Sequence, residues 1–188
     1  MARTDQPVVE LATGPVRIVG INSNAPPLPG SAARARVLDA LTRGDPWWRL
    51  AFFHHPPWSA GEMTGHPGAR WLLHGLVADA GTDIVFNGHS HTFQRRIPVD
   101  ARGRPDPAGV RYVISGGGGG RLYGAGDGEG TEAFGYGYHF IEVVARGGEL
   151  WLRARSVDDE TLDRVRLVRS APGEPAAIQP WTEPPPDA

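Results

Sequence analysis

Residues 83–91 read DIVFNGHSH: a short apolar strand that ends at Asn87, a glycine that permits a tight turn, and two imidazoles at spacing i, i+2. Working outward, residues 49–55 (RLAFFHH) form a second buried strand, and Pro56-Pro57 removes the backbone donors that would continue its ladder. Further upstream, Val16–Ile21 (VRIVGI) is a third apolar run, entering a loop at Asn22-Ser23-Asn24. Helical patterns separate these strands. Ser31 is placed to cap a helix over residues 32–41, with Val37, Leu38 and Leu41 on one face and Gly44 as its stop. Pro67 opens a second helix over residues 68–80, with Leu72, Leu73, Leu76 and Val77 inward and Gly81 at its end. Strand, helix, strand, helix, strand in this order predicts parallel strands with crossover helices.

Downstream the pattern changes. Residues 110–115 (VRYVIS) form a strand that runs into five glycines. Residues 138–145 and 150–157 flank Arg146-Gly147-Gly148-Glu149 with period-2 alternation, a hairpin signal, and residues 162–168 add a last strand. From Ala171 the chain is Pro-rich and reads as a flexible tail, and residues 1–15 read as a lead-in.

Composition narrows the chemistry. The 188 residues include 26 Gly and 18 Pro, but with 40% hydrophobic residues and a net charge of −2 the chain is not a disordered one. No cysteine is present, which excludes a disulfide framework, a thiol nucleophile and cysteine-held zinc or iron–sulfur sites. All 19 basic residues are Arg, so lysine-based Schiff-base or P-loop chemistry is excluded as well. The charge balance carries no nucleic-acid footprint. No apolar run reaches the roughly 18 residues of a membrane span, and MARTDQPVV lacks the basic-then-apolar start of a signal segment. None of this fixes the compartment.

The histidines carry what chemistry there is. His54 ends one predicted strand, while His89 and His91 follow the end of its neighbour. Open α/β sheets place their ligands at such strand ends. Neutral imidazole suits zinc, iron, manganese and similar ions. His54, His89 and His91 are therefore the candidate metal ligands. His55 and His66 are weaker candidates, and His74 and His139 read as structural. Trp58 either forms a lip of the pocket or packs in the core. Gly116–Gly120 matches neither phosphate-binding glycine pattern and reads as a flexible loop skirting the metal edge.

At these residues the chain resembles the calcineurin-like metallophosphoesterases, and most of all their purple-acid-phosphatase branch. The segments AFFHHPPWSAG, FNGHSHTFQRR, VISGGGGGRLY and YHFIEVVARGGELWLRARSVDDETLDRV stand in the family's order and span residues 16–168. The Gly-His-x-His element is the most specific of them. The resemblance implies an α/β fold, the C-terminal half of a four-layer α/β/β/α sandwich with mixed sheets, over residues 16–170. It implies metal-dependent phosphoester hydrolysis of a small-molecule substrate by two ions (Fe, Zn or Mn) bridged by an aspartate. By position, His54 and His89 resemble ligands of one ion and His91 a ligand of the other. His55 falls on a non-ligand position, and His66 resembles a substrate-side histidine.

The departure from the family is as informative. Its Asp-x-His, Gly-Asp and Gly-Asn-His motifs precede the His-x-Pro strand, yet no Asp here is followed two residues later by His. Gly44-Asp45 precedes Pro46 and reads as a turn, and neither Asn22 nor Asn24 is followed by His or Asp. Three imidazoles without a bridging carboxylate hold two dications poorly. Three accounts follow: the C-terminal half of a hydrolase missing its N-terminal half, with little or no activity alone; a non-catalytic remnant or pseudo-enzyme binding domain; or a mononuclear zinc hydrolase built on His54, His89 and His91. The first predicts an uncovered strand edge and an uncovered apolar face.

Overall fold

The computed structural model describes residues 8–124 and 128–184. Parts of the lead-in (1–7), of the glycine-rich stretch (125–127) and of the tail (185–188) lie outside the described residues. Among the described residues eleven strands form two sheets. In the larger, β2 (Val16–Ile21), β3 (Trp48–Phe52), β4 (Ile84–Asn87) and β6 (Arg111–Ser115) run parallel. β1 (Val8–Thr13) lies antiparallel on the β2 edge, and β5 (Phe93–Arg96) and β7 (Thr131–Gly135) lie antiparallel beyond β6. The smaller sheet is antiparallel, in the order β11-β10-β9-β8, and comprises β8 (His139–Arg146), β9 (Glu149–Ser156), β10 (Thr161–Val168) and β11 (Ala177–Gln179).

The parallel strands read as largely apolar runs, interrupted by Arg17 in β2 and Arg49 in β3, because both of their faces are covered. Val19, Ile21, Ala51, Phe53 and Val85 point to a helical layer, packing on Val37, Leu41, Leu73 and Val77. Val16, Trp48, Leu50, Ile84 and Val113 point the other way, onto Leu150, Leu152, Val165 and Leu167 of the smaller sheet. Each such fully buried aliphatic side chain is worth about 1.5–3 kcal/mol of transfer free energy. The result is helices, large sheet, small sheet: three of the four expected layers. Among the described residues no helix covers the outer face of the smaller sheet.

Both predicted helices form. α1 (Ala32–Thr42) is capped by the Ser31 hydroxyl, which accepts the Arg34 N–H at 3.1 Å. Its buried face is Val37, Ala40 and Leu41, whereas Leu38, expected inward, is exposed. The second helical stretch is not uniform: α2 (Pro67–Ala69), a π-helical turn (Arg70–His74) and α3 (Gly75–Asp79) follow one another. π-turns of this kind are frequent at functional sites.

Four strands were not read from the sequence. β1 occupies part of the lead-in, and β11 part of the tail expected to be flexible. The tail is pinned further by Trp151 Nε1–H donating to the Thr182 carbonyl at 2.9 Å. β5 and β7 are short and polar. The sheets are bolted together by Arg169, whose guanidinium pairs with Asp83, donates to the Trp47 carbonyl at 2.9 Å and stacks over Trp48. Burial pushes the Asp83 carboxyl up, against the pull of Arg169.

Candidate metal centre

The loops after β2, β3 and β4 meet at the C-terminal edge of the parallel strands. Gly88 N–H donates to the His54 carbonyl at 3.1 Å, and Asn87 Nδ2 donates to the Phe53 carbonyl at 2.7 Å. These two bonds hold the ends of β3 and β4 side by side and set their histidines on one rim. His89 has φ +65, a left-handed backbone that costs free energy in a non-glycine residue. The turn aims its imidazole back at His54, with Nδ1 of His89 3.3 Å from Nε2 of His54.

That separation is informative. Two nitrogens at about 2.0–2.1 Å from a tetrahedral zinc ion lie roughly 3.3–3.4 Å apart. The separation of the pair matches that of two imidazole ligands on one ion.

His55 joins them. One nitrogen from each of His54, His55 and His89 falls within a 4.8 Å group. The Ser23 hydroxyl, at the end of β2, accepts the His55 backbone N–H at 3.2 Å and meets its Nδ1 at 3.0 Å. With Nδ1 engaged, Nε2 of His55 remains for a ligand. Burial first, and the neighbouring imidazoles second, push His55 and His89 below the ordinary histidine range. Both are thus neutral near pH 7, the form that ligates metals.

The remaining histidines are placed differently. His91 lies outside that group: its Nδ1 donates to the Arg121 carbonyl at 2.6 Å and its ring stacks on Tyr123 at 4.4 Å. This arrangement also leaves Nε2 unengaged. His66 caps α2, its Nδ1 accepting the Ala69 N–H at 3.2 Å, and its ring lies 4.6 Å from His55. An accepting Nδ1 puts the proton on Nε2, so His66 offers a donor at the rim and not a metal ligand. His74 is buried, between the Tyr112 hydroxyl at 2.9 Å and the Asp100 carbonyl at 2.8 Å. Trp58 is partly buried, packing edge-on against His74 and Tyr112 beneath Arg70 at the margin of the core, and does not line the groove beside the imidazoles. His139 is buried at the start of β8, with Nδ1 2.9 Å from the Gly137 carbonyl.

The glycine run is closely packed at Gly116, Gly117 and Gly120, while Gly118 and Gly119 stand in open space. A Cβ on Gly116 would stand 1.9 Å from the Ser90 carbonyl oxygen, and one on Gly120 2.6 Å from the His91 ring. Glycine is required here because the strand after β6 passes directly over the Gly-His-Ser-His turn. Beneath the turn, fully buried Gln94 donates to the Ala60 carbonyl at 2.7 Å and accepts the Ala60 N–H at 2.8 Å. Gln94 and Ser23 are supports that the sequence reading did not single out. Ser23 sits at a strand end, where the placement rule for open sheets would have found it.

The residues fit one ion better than two. No Asp or Glu joins the imidazole group among the described residues. A dinuclear centre needs a carboxylate between its ions, and these residues do not supply one.

No family model matches the chain. Purple acid phosphatase 18 of Arabidopsis thaliana is 33% identical over 76 residues, which are 39% of this chain and 17% of that protein. Purple acid phosphatase 15 of the same plant is 37% identical over 79 residues, 40% of this chain and 14% of that protein. The matched part thus spans less than a fifth of either relative. Among solved structures, the purple acid phosphatase PPD1 from yellow lupin seeds superposes with a TM-score of 0.79 at 19% identity, over 90% of this chain and 34% of that one. GAP50, the anchor in the inner membrane complex of Plasmodium, gives 0.63 at 14% identity, over 87% of this chain and 54% of that one. At those identities the superpositions speak to fold alone. The chain is thus similar in sequence, over about 40% of its length, to plant purple acid phosphatases, and similar in fold to the lupin enzyme.

Proposed function

We propose that the chain supplies the imidazole side of a metal-dependent phosphoester hydrolase site. His54 and His89 hold one ion, and His91, on the same turn, faces a second position completed by acidic ligands from outside the described residues. The observation that carries this is the 3.3 Å approach of His54 Nε2 and His89 Nδ1 at a shared strand-end rim. When bound, an ion there acts as a Lewis acid on a phosphoryl oxygen and lowers the pKa of a bound water. The chain's own contribution is to keep His55 and His89 neutral, to orient His55 through Ser23, and to present the His66 Nε2–H beside the cluster. A donor at that place is suited to a phosphoryl or leaving-group oxygen.

Lacking a carboxylate in the cluster, the chain alone should hydrolyse a generic aryl phosphate no faster than a buffer control. Hydrolysis abolished by a chelator would contradict the reading. A second reading, one zinc held by three imidazoles, is favoured for His54, His55 and His89 by their grouping within 4.8 Å. Under it, His55→Ala releases zinc and His91→Ala does not; under the first reading His55→Ala retains it.

A further inference from the structure

The end of β5 carries a buried charge without a counter-ion among the described residues. Arg96 is 9% exposed, and its guanidinium donates to Thr131 Oγ1 at 2.9 Å and to the Glu129 carbonyl at 2.5 Å. Both partners are neutral. The adjacent Arg95 shows the usual remedy for a half-buried guanidinium: Asp163 and Glu132 both pair with it. A buried arginine left unpaired is uncommon, because removing a charge from water costs free energy that a partner normally offsets. Burial first, and the like charge of Arg70 second, pull Arg96 below the ordinary arginine value, and the exposed Glu129 opposes them only in part.

Arg96 borders a cavity of about 240 Å³. Trp58 and Tyr112 give this cavity aromatic surface, and Ile97, Val99 and Pro105 give it aliphatic surface. Its walls are braced. Tyr112 is buried with its hydroxyl 2.9 Å from His74 Nδ1, and Trp58 stands edge-on to both of those rings. Gly103, at φ +77, lies against the indole, where a Cβ would stand 2.9 Å from Trp58 Cζ2. The turn that carries Gly103 is pinned by Asp100, whose Oδ1 accepts the Arg102 and Arg104 N–H groups at 2.9 Å each. Walls held in this way are formed before a ligand arrives, so little ordering opposes binding.

We infer that this cavity is a binding site for a small monocarboxylate with a flat apolar body, its carboxylate on Arg96 and its body against Trp58 and Tyr112. Charge selects the head group. Of the five N–H donors of a guanidinium two are engaged here, and the planar fork matches a carboxylate. Arg70, over the Trp58 ring at 5.0 Å, adds to the positive potential. Glu129 also lines the cavity, so a second negative charge on the ligand meets repulsion, which disfavours a phosphate dianion. The walls select the body: apart from Arg96 and Glu129 no charged side chain lines the cavity, and aromatic surface favours a flat ring. The binding site does not depend on the proposed metal site, since none of its lining residues belongs to the imidazole group.

Benzoate is the probe, titrated into the full metal-free chain and read by NMR at the Trp58 indole N–H. A saturable shift is expected, and benzamide, the uncharged isostere, should give none at the same concentrations. Arg96→Gln should weaken benzoate binding by about tenfold. Ile97→Trp keeps the charge but fills the cavity, and should abolish the shift; it is the deciding variant where Arg96→Gln fails to fold. The absence of a saturable shift in the parent chain overturns the inference. So does equal binding of benzoate and benzamide, or a benzoate shift that survives Ile97→Trp. Inorganic phosphate that displaces benzoate at equal concentration overturns the carboxylate assignment, the cavity then taking oxyanions at large.

Discussion

His89 pays for its position in backbone strain, and the strain is what brings its Nδ1 to His54. Glycine adopts φ +65 freely, so His89→Gly should melt no lower than the parent chain while losing the imidazole. Measured by thermal unfolding, a large drop would mean that His89 is held for stability and not for a ligand. The buried histidines give a second handle. Burial lowers the pKa of His74 and His139, so both stay neutral in the folded chain, while in the unfolded chain they take up a proton near the ordinary value of about 6.5. Below that value the unfolded state binds more protons, and stability falls as the pH drops towards the lowered folded values. Melts between about pH 7.5 and 5 should show a falling midpoint, with a shallower fall for His74→Gln. An unchanged slope in that variant would contradict the assignment. At this scale the placement of His54 and His89 at neighbouring strand ends was legible, because strand, glycine and spaced histidines are all local features, whereas the position of His91 outside the imidazole group, held by the Arg121 carbonyl, was not. The convergence of His55 with them was not, since it depends on Ser23, which is 32 residues away in the chain.

Among the elements, the parallel strands and the hairpin announce themselves by composition: runs buried on two faces in one case, strict alternation around Gly147-Gly148 in the other. β5 and β7 do not, because their inward positions include polar side chains. Gln94 and Arg96 are buried in β5, satisfied by Ala60, by Thr131 and by the Glu129 carbonyl. A hydrophobic period cannot reveal a strand whose core is hydrogen-bonded. The glycine run misleads in the opposite sense: five successive glycines suggest looseness, yet Gly116, Gly117 and Gly120 permit close approach. Gly116→Ala should therefore destabilise by on the order of 1–3 kcal/mol in denaturant titration. Gly118→Ala, with nothing within 4 Å of the added methyl, should be near neutral. Equal effects at the two positions would refute the packing account.

For the whole molecule, motif order in the sequence leads one to expect half of a larger sandwich; among the described residues the structure has three layers, with β8 at the edge of the smaller sheet and an apolar groove beside it. The lupin phosphatase superposes over 90% of this chain but only 34% of its own, so the matched region is a part of that fold and not the whole of it. Imidazoles without carboxylates are the chemical counterpart of that edge. The claim on which the rest depends is that His54 and His89 together hold a metal ion. Zinc retained per chain after gel filtration, measured by elemental analysis, tests it most directly. About one ion per chain is expected, with near-complete loss in both His54→Ala and His89→Gly at unchanged fold. No retained zinc, or retention undiminished by either substitution, would contradict it.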